Sequence, residues 1–136
     1  MQLYEGKNNW NNFGEDYLKW IECSFDGAER LSLVFGSSQG NDRCEVVLDW
    51  EEEIASFRQL FEELYYRQEK QCKLYPDDYR GLMMRGAYGA DRFELTFLKN
   101  YQCVRVVMGI EKSRQLLETL ERMFAEPKKY VINFSS

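Results

Sequence analysis

Carboxylates are the residues of this chain with the most obvious chemical potential. Acidic side chains are adjacent at Glu62-Glu63 and Asp77-Asp78, and a run of three occupies Glu51 to Glu53. Two paired carboxylates serve as general acid and base when an apolar setting raises the pKa of one of them. Neighbouring acids in a helix or turn normally face water, so we expect no catalytic site here. We interpret Glu51 to Glu53 as the first turn of a helix, where negative charge complements the helix dipole.

The chain has 136 residues and no histidine. Histidine is the commonest general base and metal ligand, and it is the usual partner of a catalytic serine or cysteine. The four cysteines, Cys23, Cys44, Cys72 and Cys103, are far apart and form no CxxC pair, which argues against a zinc or redox site. We predict no metal and no cofactor, and we expect the cysteines to be small buried apolar residues of a reducing cytoplasm.

A glycine-rich stretch, RGAYG at Arg85 to Gly89, lacks the GK[ST] continuation of a phosphate-binding loop. We interpret it as a bulge or turn in a strand. A small-ligand binder or carboxylate-based enzyme stays open as an alternative. Its pocket would lie between sheet and helices, with Arg85, Arg92 and Arg105 as possible anion contacts.

The charge balance argues against nucleic acid and favours a basic partner. There are 18 basic and 23 acidic residues, a net charge of -5, whereas phosphate binding depends on clustered lysine and arginine. Complementary fields speed encounter with a partner of opposite charge. The first residues lack the pattern of a secretory signal, and no apolar run approaches the roughly 20 residues that span a bilayer. We therefore expect a cytoplasmic protein with no membrane contact.

Tyrosines beside acidic residues are the predicted binding surface. Tyr66 falls off the apolar stripe of its helix, onto the face that carries Glu62, Glu63 and Glu69, and so resembles an interface anchor with an acidic rim. The alternative is a partly exposed tyrosine that packs on its own helix. In the connection from Leu74 to Gly81, the predicted contacts are Tyr75, Asp77, Asp78 and Tyr79. This segment is either a binding loop or a well-packed crossover.

The elements that position these residues follow from hydrophobic periodicity. Alternating apolar residues predict strands, and a recurrence at three and four residues predicts helices. The predicted strands of the first half are Trp20 to Phe25, Arg30 to Phe35 and Cys44 to Trp50, followed by a helix from about Glu51 to Gln71. Those of the second half are Leu82 to Tyr88, Arg92 to Phe97 and Val106 to Ile110, followed by a helix from about Ser113 to Ala125. Pro127 ends that helix, and Lys129 to Phe134 is a possible last strand.

The two halves match at an offset of sixty residues. Val46 and Val47 fall on Val106 and Val107, and the helix residues Phe57, Leu60 and Leu64 fall on Leu117, Leu120 and Phe124. We predict one α+β domain over residues 1–136, with βββα-like units at about 20–71 and 82–126. They would form an antiparallel sheet with two helices packed on one face.

The function that fits these features is binding of another protein without catalysis. The most concrete version is an inhibitor of a basic protein, such as an immunity protein against a nuclease toxin, and it rests on small size, acidity and overall architecture. The alternatives are a dimeric secretion-type chaperone and the small-ligand binder or carboxylate-based enzyme. The protein would be a monomer or a homodimer.

Overall fold

The computed structural model describes residues 2–4, 10–37, 43–66, 71–77, 80–85, 92–99 and 102–134; within them, the side chains of residues 2–4, 10–12, 71–77, 80–85, 98–99 and 102 are left out. Ten strands and two helices lie in this part of the chain. In order they are β1 (Gln2–Tyr4), β2 (Trp10–Phe13), β3 (Trp20–Phe25), β4 (Leu31–Gly36), β5 (Arg43–Leu48), α1 (Glu51–Tyr65), β6 (Gln71–Asp77), β7 (Arg80–Arg85), β8 (Arg92–Lys99), β9 (Gln102–Gly109), α2 (Ile110–Ala125) and β10 (Lys129–Asn133).

The α+β class and the repeated order βββα are confirmed, but the strands form two sheets instead of one. The first sheet has the order β1-β5-β4-β3-β10 and the second the order β2-β9-β8-β7-β6. All pairs are antiparallel except β2 with β9. The short strand β1 pairs with the outer edge of β5, and the short strand β2 pairs with the outer edge of β9. Strands β5 and β9 therefore do not pair with each other to form a single sheet.

Each unit supplies the last strand of the other unit's sheet. The strand after α1, β6, pairs with β7 of the second unit, and the strand after α2, β10, pairs with β3 of the first unit. Helix α1 packs on β5, β6 and β7, while α2 packs on β3, β8, β9 and β10, so each helix touches both sheets. Because of this exchange of strands, the two units share one hydrophobic core.

Aromatic rings join the two sheets inside that core. Phe35 on β4 and Phe97 on β8 have ring centroids 6.5 Å apart, and Phe97 stacks on Phe57 of α1 at 6.1 Å. Phe35, Phe57 and Phe97 are fully buried. Leu60 and Leu120, predicted to face the core from the two helices, are also fully buried. The predicted apolar faces of both helices are therefore confirmed.

Helix α1 begins where it was predicted and ends sooner. Three glutamates, Glu51 to Glu53, occupy its first turn, as the interpretation of that acidic run required. The predicted end at Gln71 is wrong, because the helix ends at Tyr65 and Gln71 is already the first residue of β6, paired with Arg85. The pairing of Gln71 with Arg85 of β7 is incompatible with a helix that continues to residue 71.

Helix α2 begins three residues earlier than predicted, because the loop after β2 caps it. The Glu15 carboxylate accepts a hydrogen bond from the backbone N–H of Gly109, the residue that precedes the helix. The Lys112 ammonium lies 3.5 Å from the Glu15 carboxylate and donates to the Leu18 carbonyl oxygen at 2.9 Å. A carboxylate at a helix N-terminus satisfies an otherwise unpaired donor and complements the helix dipole. The predicted end at Ala125, two residues before Pro127, is confirmed.

Neither helix is long and apolar enough to cross a membrane, within the part of the chain that the structure describes.

Candidate protein-binding site

The side chain of Tyr66 lies on the surface at the end of α1. It is 61% exposed, in agreement with its position off the apolar stripe. Its ring meets the rings of Tyr65 and Phe61 edge to face, with centroids 4.8 Å and 6.2 Å apart. Phe61 is buried and fixes the position of Tyr66 from below. Tyr66 is therefore a large exposed side chain that packs on rings of its own helix, as both the predicted interface anchor and its alternative require.

A second helix contributes to the same surface. The Tyr66 hydroxyl donates a hydrogen bond to Glu121 Oε1 of α2 at 3.3 Å. Desolvation and the neighbouring charges of Glu121 and Glu62 raise the pKa of Tyr66, whereas Arg58 lowers it. A tyrosine hydroxyl is protonated at neutral pH even without this shift, so it is a hydrogen-bond donor beside two carboxylates.

A shallow groove runs between the two helices beside Tyr66. Its volume is about 210 Å³, and it is lined by Arg58, Phe61, Glu62, Tyr66, Glu121, Phe124 and Ala125. The Arg58 guanidinium covers the Phe124 ring at 4.9 Å from its centroid. Pockets for small-molecule ligands typically measure about 300 to 1,000 Å³. The groove is smaller than such pockets, and its apolar floor of Phe61 and Phe124 is bordered by Glu62, Glu121 and Arg58. We call this groove and its lining residues the Tyr66 groove.

The structure brings together only part of the predicted binding surface. Tyr66 and Glu62 both line the groove, whereas Glu63 is partly buried and does not. Glu69, Asp78 and Tyr79 lie outside the described residues. Whether Tyr75 and Asp77 bind a partner stays a prediction, because their backbone is described but their side chains are not.

The segment that carries Tyr75 and Asp77 is a strand and not the predicted connecting loop. It belongs to β6, which forms a hairpin with β7. The register is interrupted between Leu74 and Asp77, on either side of Pro76. Proline cannot donate a ladder hydrogen bond and is found in sheets mainly at edges and bulges, and β6 is an edge strand.

Glu121, Arg58 and Phe124 are groove residues that the sequence analysis did not single out. Their place in the groove depends on the packing of α1 against α2. In that packing, the Phe124 ring lies 6.4 Å from the Phe57 ring and 5.4 Å from the Phe61 ring, measured between centroids. No local sequence signal identifies such a neighbour between helices.

Two of the three arginines proposed as anion contacts, Arg92 and Arg105, do not line a space between sheet and helices. Arg105 forms an ion pair with Glu94 of the neighbouring strand, and it alternates with the core residues Val104 and Val106. Arg92 is exposed and shares the parity of Glu94 along β8. Both therefore lie on the face of the sheet that is turned away from the helices. The side chain of Arg85 lies outside the described part of the structure.

Three cysteines have the buried environment expected from the sequence. Cys23, Cys44 and Cys103 are all buried. Burial, with a smaller contribution from Glu22, raises the pKa of Cys23 to about 12, and burial also raises the pKa of Cys103. Among the described residues, no cluster of three or more histidine, cysteine or acidic side chains could hold a metal ion.

Cys23 should therefore resist alkylation in the folded protein. The nucleophile is the thiolate. The raised pKa keeps Cys23 protonated at neutral and mildly alkaline pH, and burial keeps the reagent away from its sulfur atom. Iodoacetamide labelling at pH 8, read by peptide mass spectrometry, should be far slower at Cys23 in native than in urea-unfolded protein. Equal labelling rates in the two states would show that Cys23 is accessible and would contradict this environment.

Searches against protein-family models, curated proteins and solved structures found no match for the chain.

Proposed function

We propose that the protein is a binding module that uses the Tyr66 groove to engage a basic protein. The supporting observation is an exposed tyrosine seated on buried Phe61, with Glu62 of α1 and Glu121 of α2 beside the same groove. Tyrosine is enriched among the residues that dominate interface energies. The net charge of -5 favours the approach of a positively charged partner.

The most concrete form of the proposal is an inhibitor, such as an immunity protein that blocks a basic nuclease toxin. A lysine or arginine of the partner would place its alkyl stem over Phe61 and Phe124 and its charge beside Glu62 and Glu121. A cation that is both stacked on an aromatic ring and paired with a carboxylate gains from two favourable interactions. Arg58, which lies 4.9 Å from the Phe124 ring centroid, would then shift to admit the incoming cation.

A pull-down from the native host tests whether such a partner exists. The tagged protein should recover one basic protein in near-equal amount at low salt and less of it at high salt, because exposed charge pairs are screened. The variant with Tyr66, Glu62 and Glu63 changed to alanine should lose this protein while its melting temperature stays nearly unchanged, since Tyr66 and Glu62 are exposed.

Two outcomes of the pull-down would contradict the proposal. Recovery of the same protein by the triple variant would place the interface elsewhere. A large drop in the melting temperature of the triple variant would show that Tyr66 stabilises the fold, and the loss of binding would then have a structural cause. Because Glu63 is partly buried, a double variant of Glu62 and Glu121 separates the charge effect from any packing effect of Glu63.

A further inference from the structure

Among the strands that the structure describes, β10 is the outer strand of the first sheet and is paired on one side by β3. Its register is Lys129 with Ser24, Val131 with Glu22, and Asn133 with Trp20. The backbone N–H of Phe25 donates to the Lys128 carbonyl oxygen at 3.3 Å, and that of Phe134 donates to the Lys19 carbonyl oxygen at 2.8 Å. Hydrogen-bonded positions alternate along an antiparallel pair. Lys128, Tyr130, Ile132 and Phe134 therefore face β3, while the backbone groups of Lys129 and Val131 face outward.

Val131 is an apolar residue at the centre of this outward edge. Its side chain is 61% exposed, on the face of the sheet opposite the buried Ile132. The only charged residue within β10, Lys129, has its ammonium 3.7 Å from the Glu22 carboxylate on β3. Charge on an edge strand usually discourages pairing with another chain. The nearby Glu22 carboxylate offsets the charge of Lys129, and the centre of the strand carries no charge.

The residues of β10 complement themselves about a two-fold axis through Val131. In an antiparallel pair of two β10 strands, each Val131 would lie opposite the other and exchange both backbone hydrogen bonds with it. Lys129 would lie opposite Asn133 of the second copy, and Tyr130 opposite Ile132, so no like charges meet. An axis through Lys129 would instead place two lysines opposite each other. Of these two registers, the sequence of the strand favours the one centred on Val131.

We infer that β10 is a homodimerisation edge, through which two copies join their first sheets into one continuous sheet. Two-fold pairing of the same strand is an isologous contact and closes at the dimer. None of the residues that line the Tyr66 groove belongs to β10. The strand pairing itself therefore uses no residue of the proposed partner site.

Proline at residue 131 tests this inference with little effect on the fold. The N–H of Val131 points away from β3, so Val131→Pro removes a donor of the dimer contact without removing a β3–β10 hydrogen bond. Val131→Thr is the matched control, because it keeps the backbone donor and the β-branched shape. Sedimentation of wild type and Val131→Thr at high micromolar concentration should give twice the mass of the chain. Val131→Pro should give the mass of the monomer, with a cooperative thermal transition.

Three results would overturn the inference. One is a wild-type protein that remains monomeric at high micromolar concentration. Another is a Val131→Pro variant that dimerises like wild type, which would place the contact elsewhere. If Val131→Pro does not fold, as judged by loss of its thermal transition, hydrogen exchange of the wild type tests the inference instead. The exchange rate of the Val131 amide should fall at least tenfold as the protein concentration is raised. An exchange rate independent of concentration is the third contradicting result. The Glu62 and Glu121 double variant should dimerise like wild type, which separates this test from that of the partner site.

Discussion

Replacing Phe97 with alanine should lower the free energy of unfolding by about 3 to 5 kcal/mol, the range seen when large buried aromatic residues are truncated. Phe97 is fully buried and contacts Phe35 of the first sheet and Phe57 of α1. Removing its ring opens a cavity where both sheets and a helix meet, and three separate elements would have to move to fill it. Urea unfolding followed by circular dichroism measures the loss directly.

Gln115→Ala is a suitable control for Phe97→Ala, because Gln115 is exposed on α2. Surface changes of this kind usually alter stability by no more than about 0.5 kcal/mol. A loss below about 1 kcal/mol for Phe97→Ala would mean that the two sheets do not share a tightly packed core at this position.

Replacing Gly36 with alanine should have the second largest effect, because the indole ring of Trp20 covers this residue. A Cβ atom at position 36 would lie 2.0 Å from Cε2 and 2.1 Å from Cζ2 of Trp20. Such distances are impossible without movement, so the ring must leave its place over the β3–β4 pair. Overpacking of this type costs about 1 to 3 kcal/mol. The displaced ring should also shift the tryptophan fluorescence of the folded protein to longer wavelength.

Gly14→Ala provides the matched control for Gly36→Ala. A Cβ atom added at Gly14 has no heavy atom within 4 Å, so the same substitution should leave both stability and fluorescence nearly unchanged. Equal effects of the two variants would show that the loss comes from glycine's backbone freedom and not from contact with Trp20.

Much of the fold could be predicted from local periodicity. Strand β3 has the predicted bounds, and Ile21, Cys23 and Phe25 are buried in alternation with half-buried neighbours, as a strand with one face on the core requires. The helix faces were also correct, with Leu60 and Leu120 fully buried. These features depend on which side of an element faces the core. A period of two or of 3.6 residues carries that information directly.

The sheet arrangement could not be predicted in the same way, because it depends on pairing between distant strands. Strand β6 was interpreted as a helix end and a loop, since Pro76 and the acidic residues after it resemble turn chemistry. Applying the offset of sixty residues to β10 points to positions 69–73, which overlap β6. The internal repeat thus predicts this strand, although the amino-acid composition of the strand itself indicates a turn. The parallel pairing of β2 with β9 has no such signal, because β2 has only four residues.

Part of the candidate site could be predicted, because it depends on the position of one residue along one helix. The exposure of Tyr66 follows from its position on one helix, so sequence reasoning could find it. The position of Glu121 opposite Tyr66 depends on how two helices pack, and that packing is set by Phe57, Phe61 and Phe124 together. Sequence periodicity predicts which residues of one element face the core or the solvent, but it does not predict contacts between elements.

Whether the Tyr66 groove binds a basic protein is tested most directly by comparing two charge-matched variants. One replaces Glu62 and Glu121 with alanine, and the other replaces the exposed Asp16 and Glu29. Each removes two carboxylates and changes the formal net charge from -5 to -3. Both should fold, since the replaced side chains are at least partly exposed.

The decisive measurement is the dissociation constant of each variant for the recovered partner, by calorimetry at low salt. Loss of a charge-assisted contact worth about 1.5 to 3 kcal/mol corresponds to roughly a tenfold to more than a hundredfold weaker affinity. We predict such a loss for the Glu62 and Glu121 variant and less than a threefold change for the Asp16 and Glu29 variant. Equal weakening of both would mean that overall charge, and not the Tyr66 groove, attracts the partner, and would contradict the proposed site.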